Sequence, residues 1–308
     1  MDVSIIIPAW NASDTLAETI KSTLDLNCDK EILVVDDGSE DDTYEIASRF
    51  SPDVRVLTGP NQGVSAARNK GIEQSSAEWI IFLDSDDLLV NGTVKKRLEV
   101  ARHTGADVII TDWQDFSEDK PGNRQLLEKH SIDWTALEED AEIATATHVW
   151  ATTAAIMYHR STVEKTGGFR EDLPVIQDAR FLFDAAYHGA VFAHADHVGA
   201  SYRITPGSLS RRSKAAFHAC ILHNGLQIET SWRSDGRLTA KHRRAIAGIY
   251  NTAARGLLAA SDTRYFDAVA AQKALNEPLP RHTRFFYPLA RMLGLSAARR
   301  LAEITGKI

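Results

Sequence analysis

Two cysteines, Cys28 and Cys220, are all that 308 residues contain. They lie far apart, which excludes a disulfide framework and a cysteine zinc site and fits a reducing, cytoplasmic compartment. No stretch approaches the roughly 18 apolar residues of a membrane-spanning helix. The opening MDVSIIIPAW lacks a basic segment and reads as a first strand, not a secretion signal. Neither a GxxxxGKS/T loop nor a GxGxxG fingerprint occurs, so two familiar glycine-rich nucleotide sites are absent. There is no internal repeat and no low-complexity tract. Basic charge is also in deficit: the net charge is -7, which speaks against a nucleic-acid partner. That deficit is uneven. Residues 240–308 hold 12 Lys/Arg and 4 Asp/Glu, about +8, leaving about -15 for the rest. Such a tail suits an anionic membrane surface or an anionic lipid-linked partner, or is a solvated helical face.

What is present is alternation. Apolar runs at 3–7, 32–35, 54–57, 79–83 and 108–111 predict strands. Helical patterns at 13–26, 42–50, 66–74 and 94–103 fall between them, the first capped by Ser13 and Asp14. This order predicts an α/β fold, a mixed, mostly parallel sheet flanked by helices. Ligands of such sheets bind beyond the carboxyl ends of the strands. The polar clusters fall there: Asn11, Asp36 and Asp37, Asn61, and Asp84 to Asp87. Residues 112–148 are acidic and weakly periodic, and read as an insertion or acceptor-side loop. Strands are expected again at 154–158 and 198–202, with a helix at 178–187. From Ala215 the pattern is helical, with breaks expected near Pro278, Pro280 and Pro288. The expected division is an α/β domain over 1–212, in halves 1–111 and 112–212, and a C-terminal helical region over 213–308.

Three segments carry chemistry. In DSDD, Asp84-Ser85-Asp86-Asp87, three carboxylates crowd the end of a strand. A divalent cation with oxygen ligands relieves that repulsion; an acidic turn capping the next helix is the simpler alternative. DDGSEDDT, from Asp36 to Thr43, offers carboxylates to a nucleobase or ribose, or is a plain turn. In NQGVSAARNKG, Asn61 to Gly71, Gly63 frees the backbone before a helix whose N-terminus suits phosphate. Arg68 and Lys70 add positive charge; the simpler alternative is a loop and helix closed by Gly71.

Together IIIPAWN, DDGSEDDT, NQGVSAARNKG and DSDD, in this order, resemble glycosyltransferase family 2 and its nucleotide-binding GT-A fold. The resemblance resumes at GGFREDLPVIQDARF, from Gly167, and at YRITPGSLSRR, from Tyr202. It implies a nucleotide-binding half over 1–111, an acceptor-binding half over 112–212, and inverting transfer from a nucleotide diphosphate donor, a UDP-sugar. The acceptor is a hydroxyl of a saccharide or lipid-linked saccharide, in bacterial polysaccharide assembly. Pro8, Ala9, Trp10, Asn11, Asp37, Asn61, Gly63, Arg68, Asp84, Ser85 and Asp86 are then the nucleotide-binding residues. Trp10 replaces the usual Tyr or Phe and packs on the base, or else on the core. Asp84 points to the ribose and Asp86 holds the metal, Mn²⁺ or Mg²⁺. Asp178 is the general base, and Arg211 and Arg212 are candidate diphosphate contacts.

The sequence departs from the family at four further places. Gln177 replaces a carboxylate before Asp178, Thr205 stands where a His is common, and Arg180 and Asp184 are exchanged. Gln177 and Thr205 favour the rival reading, a degenerate nucleotide-sugar-binding module without catalysis. A nucleotidyltransferase would need a basic glycine-rich N-terminal loop, which is absent. The expected setting is the cytoplasm, peripherally at the inner face of the plasma membrane if the basic tail binds lipid. If it does not, its apolar residues pack on the catalytic domain or on a second copy in a homodimer.

Overall fold

A computed structural model describes residues 1–119, 123–205 and 213–307. The chain divides into two compact units, one of residues 1–145 and 149–206, the other of residues 146–148 and 207–308.

The first unit is built on one sheet. Its strands are β1 (Val3–Ala9), β2 (Lys30–Asp36), β3 (Arg55–Thr58), β4 (Trp79–Phe82), β5 (Leu88–Leu89), β6 (Val108–Glu118), β7 (Arg124–His130), β8 (Ile156–His159) and β9 (Phe192–Arg203). Their order is β3-β2-β1-β4-β8-β6-β9-β5, with β7 paired to β6. The helices are α1 (Leu16–Leu24), α2 (Thr43–Ser48), α3 (Val64–Gln74), α4 (Thr93–Thr104), α5 (Trp134–Glu139), α6 (Ala141–Thr147), α7 (Arg160–Thr166) and α8 (Gln177–Tyr187).

β1 is the hub. It runs parallel to β2 on one side and β4 on the other, and all seven of its residues are buried. Two covered faces explain why it is apolar but for Ser4, whose buried hydroxyl donates to Glu31 Oε1 (2.5 Å). Pro8 costs nothing here. The pairing of β1 with β4 ends at Ile6 and Phe82, so the N–H that Pro8 lacks has no ladder partner to lose. The register aligns the strand ends, with Ala9 beside Asp36 and Asp36 beside Thr58. Beyond those ends, Asp37 N–H donates to the Ala9 carbonyl (2.8 Å) and Leu83 N–H to the Ile6 carbonyl (2.9 Å). The carboxyl ends of β1, β2 and β4 therefore deliver Trp10, Asp37 and Asp84 to one edge of the sheet.

Some expectations are corrected. Ser13 and Asp14 do not cap α1, which starts at Leu16 after Thr15 with no side-chain cap. Ser13 N–H is instead drawn to Asp41 Oδ2 (3.1 Å). The 112–148 stretch is not a loop. It completes β6, pairs it antiparallel with β7, and adds α5 and α6. Six of the seven β7 residues are exposed, so no apolar alternation marks that strand in the sequence. Gly71 does not close α3. It lies inside the helix, where an added Cβ would stand 2.3 Å from Ile6 Cγ2, so it lets α3 press against β1. Pro288 breaks nothing: it is an exposed residue within a helix, where water can take the carbonyl it leaves unpaired.

The second unit is helical: α9 (Lys214–Ser234), α10 (Ala240–Ala259), α11 (Tyr265–Ala274), α12 (Arg281–Leu293) and α13 (Leu295–Ile304). Its core holds Trp232, Ile246, Tyr250, Leu257, Tyr265 and Phe286, all at most 1% exposed. Tyr250 Oη donates to Glu229 Oε2 (2.6 Å), which satisfies its one polar atom inside that core. Among the described residues no helix is long and apolar enough to cross a membrane.

Candidate active site

The DSDD segment forms a tight turn directly after β4. Asp87 N–H donates to the Asp84 carbonyl (3.0 Å), and the Ser85 carbonyl accepts from Thr15 Oγ1 (2.8 Å) and Thr19 Oγ1 (2.9 Å). The three carboxylates have different fates. Asp84 meets the buried guanidinium of Arg68 at 2.5 Å. Asp87 is fully buried, accepting from Arg203 N–H (2.9 Å) and Thr152 Oγ1 (3.2 Å). Burial, then the neighbouring Asp86 and Asp84 charges, push its carboxyl well above the usual range. Among the described residues Asp86 has no side-chain partner. Burial, then the Asp84 charge, raise its carboxyl to about 6. Asp86 is thus the carboxylate of this turn with neither an ion-pair partner nor a side-chain hydrogen bond among the described residues. An all-oxygen donor set of this kind fits a hard divalent cation.

Arg203 braces the turn from β9. Its Nε donates to the Asp86 carbonyl (2.8 Å), and its terminal nitrogens pair with Glu18 (2.6 Å) and with Glu118. Sequence reading passed over Arg203, although it falls inside the YRITPGSLSRR segment. Nothing local signals that a residue 117 positions away holds the turn.

At the end of β1, Pro8 and Ala9 are buried while Trp10 is 46% exposed, which removes it from the core. Asn11 adopts φ +47 and acts as a clasp. Its N–H donates to Ser39 Oγ (2.9 Å) and its Oδ1 accepts from Glu40 N–H (2.8 Å), fixing the loop after β2. Asp37 is largely committed: Oδ1 accepts from Gln62 N–H (2.9 Å) and Oδ2 from Gly63 N–H (2.8 Å). A protein carboxylate therefore sits at the N-terminus of α3, where the sequence pointed to phosphate. The fit needs Gly38, at φ +71, because a Cβ there would come within 2.8 Å of the Asn61 nitrogen. Asn61 itself is exposed beside this turn. Arg68 is 2% exposed, with its guanidinium carbon 4.9 Å from the Phe169 ring centre. Its Nε and Nη1 have no partner among the described residues.

Asp178 lies in the first turn of α8, partly buried, after Ile176 at φ +60. It accepts from Trp150 Nε1 (3.3 Å) on Oδ2 and from Ala179 N–H (2.8 Å) on Oδ1. Stacked rings anchor α8 to the sheet: Phe181 lies face to face with Phe169 (4.1 Å) and edge-on to Phe82 (5.6 Å) of β4. Two residues beyond Trp150, Thr152 bonds Asp87. Two residues of chain span at most about 7 Å. One short segment therefore links the DSDD turn to Asp178. Buried Tyr158 registers the same convergence: burial first, then the Asp178 charge, raise its phenol, while Arg68 opposes them. The exchanged pair is a salt bridge, Arg180 Nε to Asp184 Oδ1 at 2.8 Å, joined by Arg170 Nε at 3.5 Å. Gln177 is buried with Oε1 unpartnered among the described residues, and Thr205 is partly buried. Arg211 and Arg212 lie outside the described residues.

A second ligand-type cluster, missed in the sequence, joins Asp112 of β6 to His194 and Asp196 of β9. No DSDD residue belongs to it. Asp112 is already engaged, with Lys129 Nζ at 2.8 Å and His194 Nε2 at 3.0 Å. Burial pushes its carboxyl up, but hydrogen bonds from Lys129, Ser131 and His194 outweigh that and hold it low. The Lys129 ammonium supplies there the charge a cation would bring.

With this geometry in place, comparison with known proteins becomes specific. Residues 4–165 match the family described as Glycosyl transferase family 2. The chain belongs to that family. This family 2 glycosyltransferase is 28% identical over 218 residues to the succinoglycan biosynthesis protein ExoO of Rhizobium meliloti, covering 68% of the chain and 63% of that protein. It is 28% identical over 226 residues to the uncharacterized glycosyltransferase EpsJ of Bacillus subtilis, covering 68% and 62%. The chain thus spans less than two thirds of the length of both relatives. Its fold is similar to that of S. aureus TarS 1-349 in complex with UDP-GlcNAc: TM-score 0.71, 18% identity, 100% of this chain and 93% of that one. It is also similar to the mannosyltransferase PcManGT of Pyrobaculum calidifontis in complex with GDP-Man and Mn²⁺: TM-score 0.56, 17% identity, 99% and 88% covered. The architecture is GT-A, with a helical C-terminal region.

Proposed function

We propose that this family 2 glycosyltransferase moves a sugar, with inversion, from a UDP-sugar to a hydroxyl of a saccharide or lipid-linked saccharide. The observation that carries the reading is the short segment from Trp150 to Thr152, which bonds Asp178 at one end and Asp87 at the other. It makes the carboxylate for proton removal a neighbour of the carboxylates for the donor. Nucleotide-sugar complexes of two proteins with the same fold support the donor class, and the succinoglycan relative supports polysaccharide assembly.

The residues divide the work as follows. Trp10 offers its exposed ring to the base. Asp37 fixes the loop that carries Asn61 and Gly63, and presents its remaining lone pairs to the nucleotide. Arg68 holds Asp84 beside the ribose. Asp86, with Asp84 near it, would hold Mn²⁺ or Mg²⁺, which when bound offsets charge on the departing diphosphate. Asp178 accepts the proton of the acceptor hydroxyl as that oxygen attacks the anomeric carbon. A single attack from the face opposite the diphosphate inverts that carbon.

Asp178→Asn tests the assignment. UDP affinity should stay within a few-fold of wild type, while UDP release from UDP-GlcNAc and other UDP-sugars falls by about 10²–10⁴. Near-normal turnover would move the base elsewhere, to Glu171 or Asp172.

The reading extends to the basic end of the chain. Phe285, Met292 and Leu293 of α12 are 55%, 80% and 65% exposed. Arg281, Arg284 and Arg291 lie beside them, also exposed, with no ion-pair partner among the described residues. Such a face lies on an anionic bilayer at the cytoplasmic side and keeps the enzyme near a lipid-linked acceptor. The competing use of this face is contact with a second copy of the chain.

A further inference from the structure

Trp150 is exposed, yet its ring is immobilised. It lies between α6 and β8 and is 42% exposed. Three contacts fix its plane. Its edge or face meets Trp113 at 5.6 Å and 90°, and Tyr202 at 6.4 Å and 87°. Its Nε1–H donates to Asp178 Oδ2 at 3.3 Å. Trp113 is itself held: it is 4% exposed and stacks on His130 (5.2 Å), whose Nε2 lies 3.0 Å from Asp115 Oδ2. An exposed aromatic surface is thus presented in one orientation, tethered to a carboxylate.

We propose that the Trp150 indole is the stacking platform for the acceptor sugar, set so that a hydroxyl of the stacked pyranose meets Asp178. A pyranose has an apolar C–H face and a rim of hydroxyls. Stacking the face on an indole buries apolar surface on both and leaves the rim free for polar contacts. The N–H tether puts the hydroxyl-accepting oxygens of Asp178 at the edge of the platform, where that rim falls. Pre-ordering lowers the entropic cost of docking, since these contacts already favour one orientation of the ring. The bond from Thr152 to Asp87 fixes the platform against the donor side as well. The acceptor class that follows is a pyranoside with an unobstructed C–H face, in place of a bare lipid or protein hydroxyl. This inference rests on the reading of Asp178 as the base.

Saturation-transfer NMR tests it with methyl glycosides of glucose, galactose, mannose and N-acetylglucosamine, in the presence of UDP and Mg²⁺. Wild type and Trp150→Phe should both saturate the ring protons on one face of at least one glycoside. Trp150→Ala should lose that signal and weaken binding about tenfold or more, with UDP affinity unchanged as the check on folding. Asp178→Asn should keep glycoside binding, so a failed base assignment, seen as retained turnover in that variant, stays distinct from a failed platform. No glycoside bound by wild type, or wild-type binding by Trp150→Ala, would overturn the proposal.

Discussion

Asp84 and Asp86 sit two positions apart and differ in what neutralises them. Arg68 meets Asp84, whereas Asp86 has only its own backbone and the charge of Arg203, which bonds its carbonyl rather than its carboxylate, against it. Trp10 shows a similar division from Pro8 and Ala9: they are buried in β1, and it opens to solvent just past the strand end. Stacking of a base on an aromatic ring contributes on the order of 1–3 kcal/mol. Trp10→Ala should therefore raise the UDP dissociation constant roughly tenfold, measured by calorimetry; an unchanged constant would take the base away from Trp10. The crowded acids and the exposed aromatic were legible in the sequence because their signals are local. The engagement of Asp37 by the loop of Gly63, and of Asp87 by Arg203, was not. Those bonds join residues 26 and 116 positions apart, and no periodicity encodes them.

Among the elements, legibility followed burial. β1, β2 and β4 are covered on both faces or nearly so, and read as apolar segments, broken in β1 only by Ser4 and in β2 only at its ends. β7 is exposed along almost its whole length, and β5 has two residues, so neither leaves a pattern. Half of β9 escaped notice because its register with β6 shifts twice around Asp112, which breaks the alternation. The contact of α3 with β1 is the element-level feature that most directly sets the site, since α3 carries Arg68. Gly71→Ala would force its new methyl onto Ile6. Overpacking of this kind costs about 1–3 kcal/mol. A lowered denaturation midpoint is expected, and Ile6→Ala combined with Gly71→Ala should lose less than the two separate losses together. Full additivity would mean that the two residues are not in conflict.

At the scale of the whole molecule, charge is distributed by region. The acidic excess belongs to residues 1–239, and the basic excess to the last 69. Part of the apolar bulk near the end is used internally: Phe286 is 1% exposed, and Tyr287 lies 6.3 Å from Phe266 and 3.7 Å from Lys273 Nζ. Phe285, Met292 and Leu293 are not used in that way. Each arginine near an anionic surface adds roughly 1 kcal/mol. The chain should co-sediment with phosphatidylglycerol vesicles at low salt and be released near 1 M, where the screening length falls to about 3 Å. Arg284→Glu with Arg291→Glu should weaken the low-salt binding. Negligible sedimentation of the unaltered chain at low salt would leave dimerisation as the use of this face, to be read from its mass in solution.

Binding of the donor nucleotide at the carboxyl edge of β1, β2 and β4 through a cation on Asp86 would make UDP affinity depend on that carboxylate and on the metal together. Calorimetric titration of UDP into wild type and Asp86→Ala, each with and without Mn²⁺, tests it most directly. Binding is expected in wild type with Mn²⁺ alone, with Asp86→Ala folded but unresponsive to the metal. Equal UDP affinity in wild type and Asp86→Ala, both with Mn²⁺ present, would contradict it.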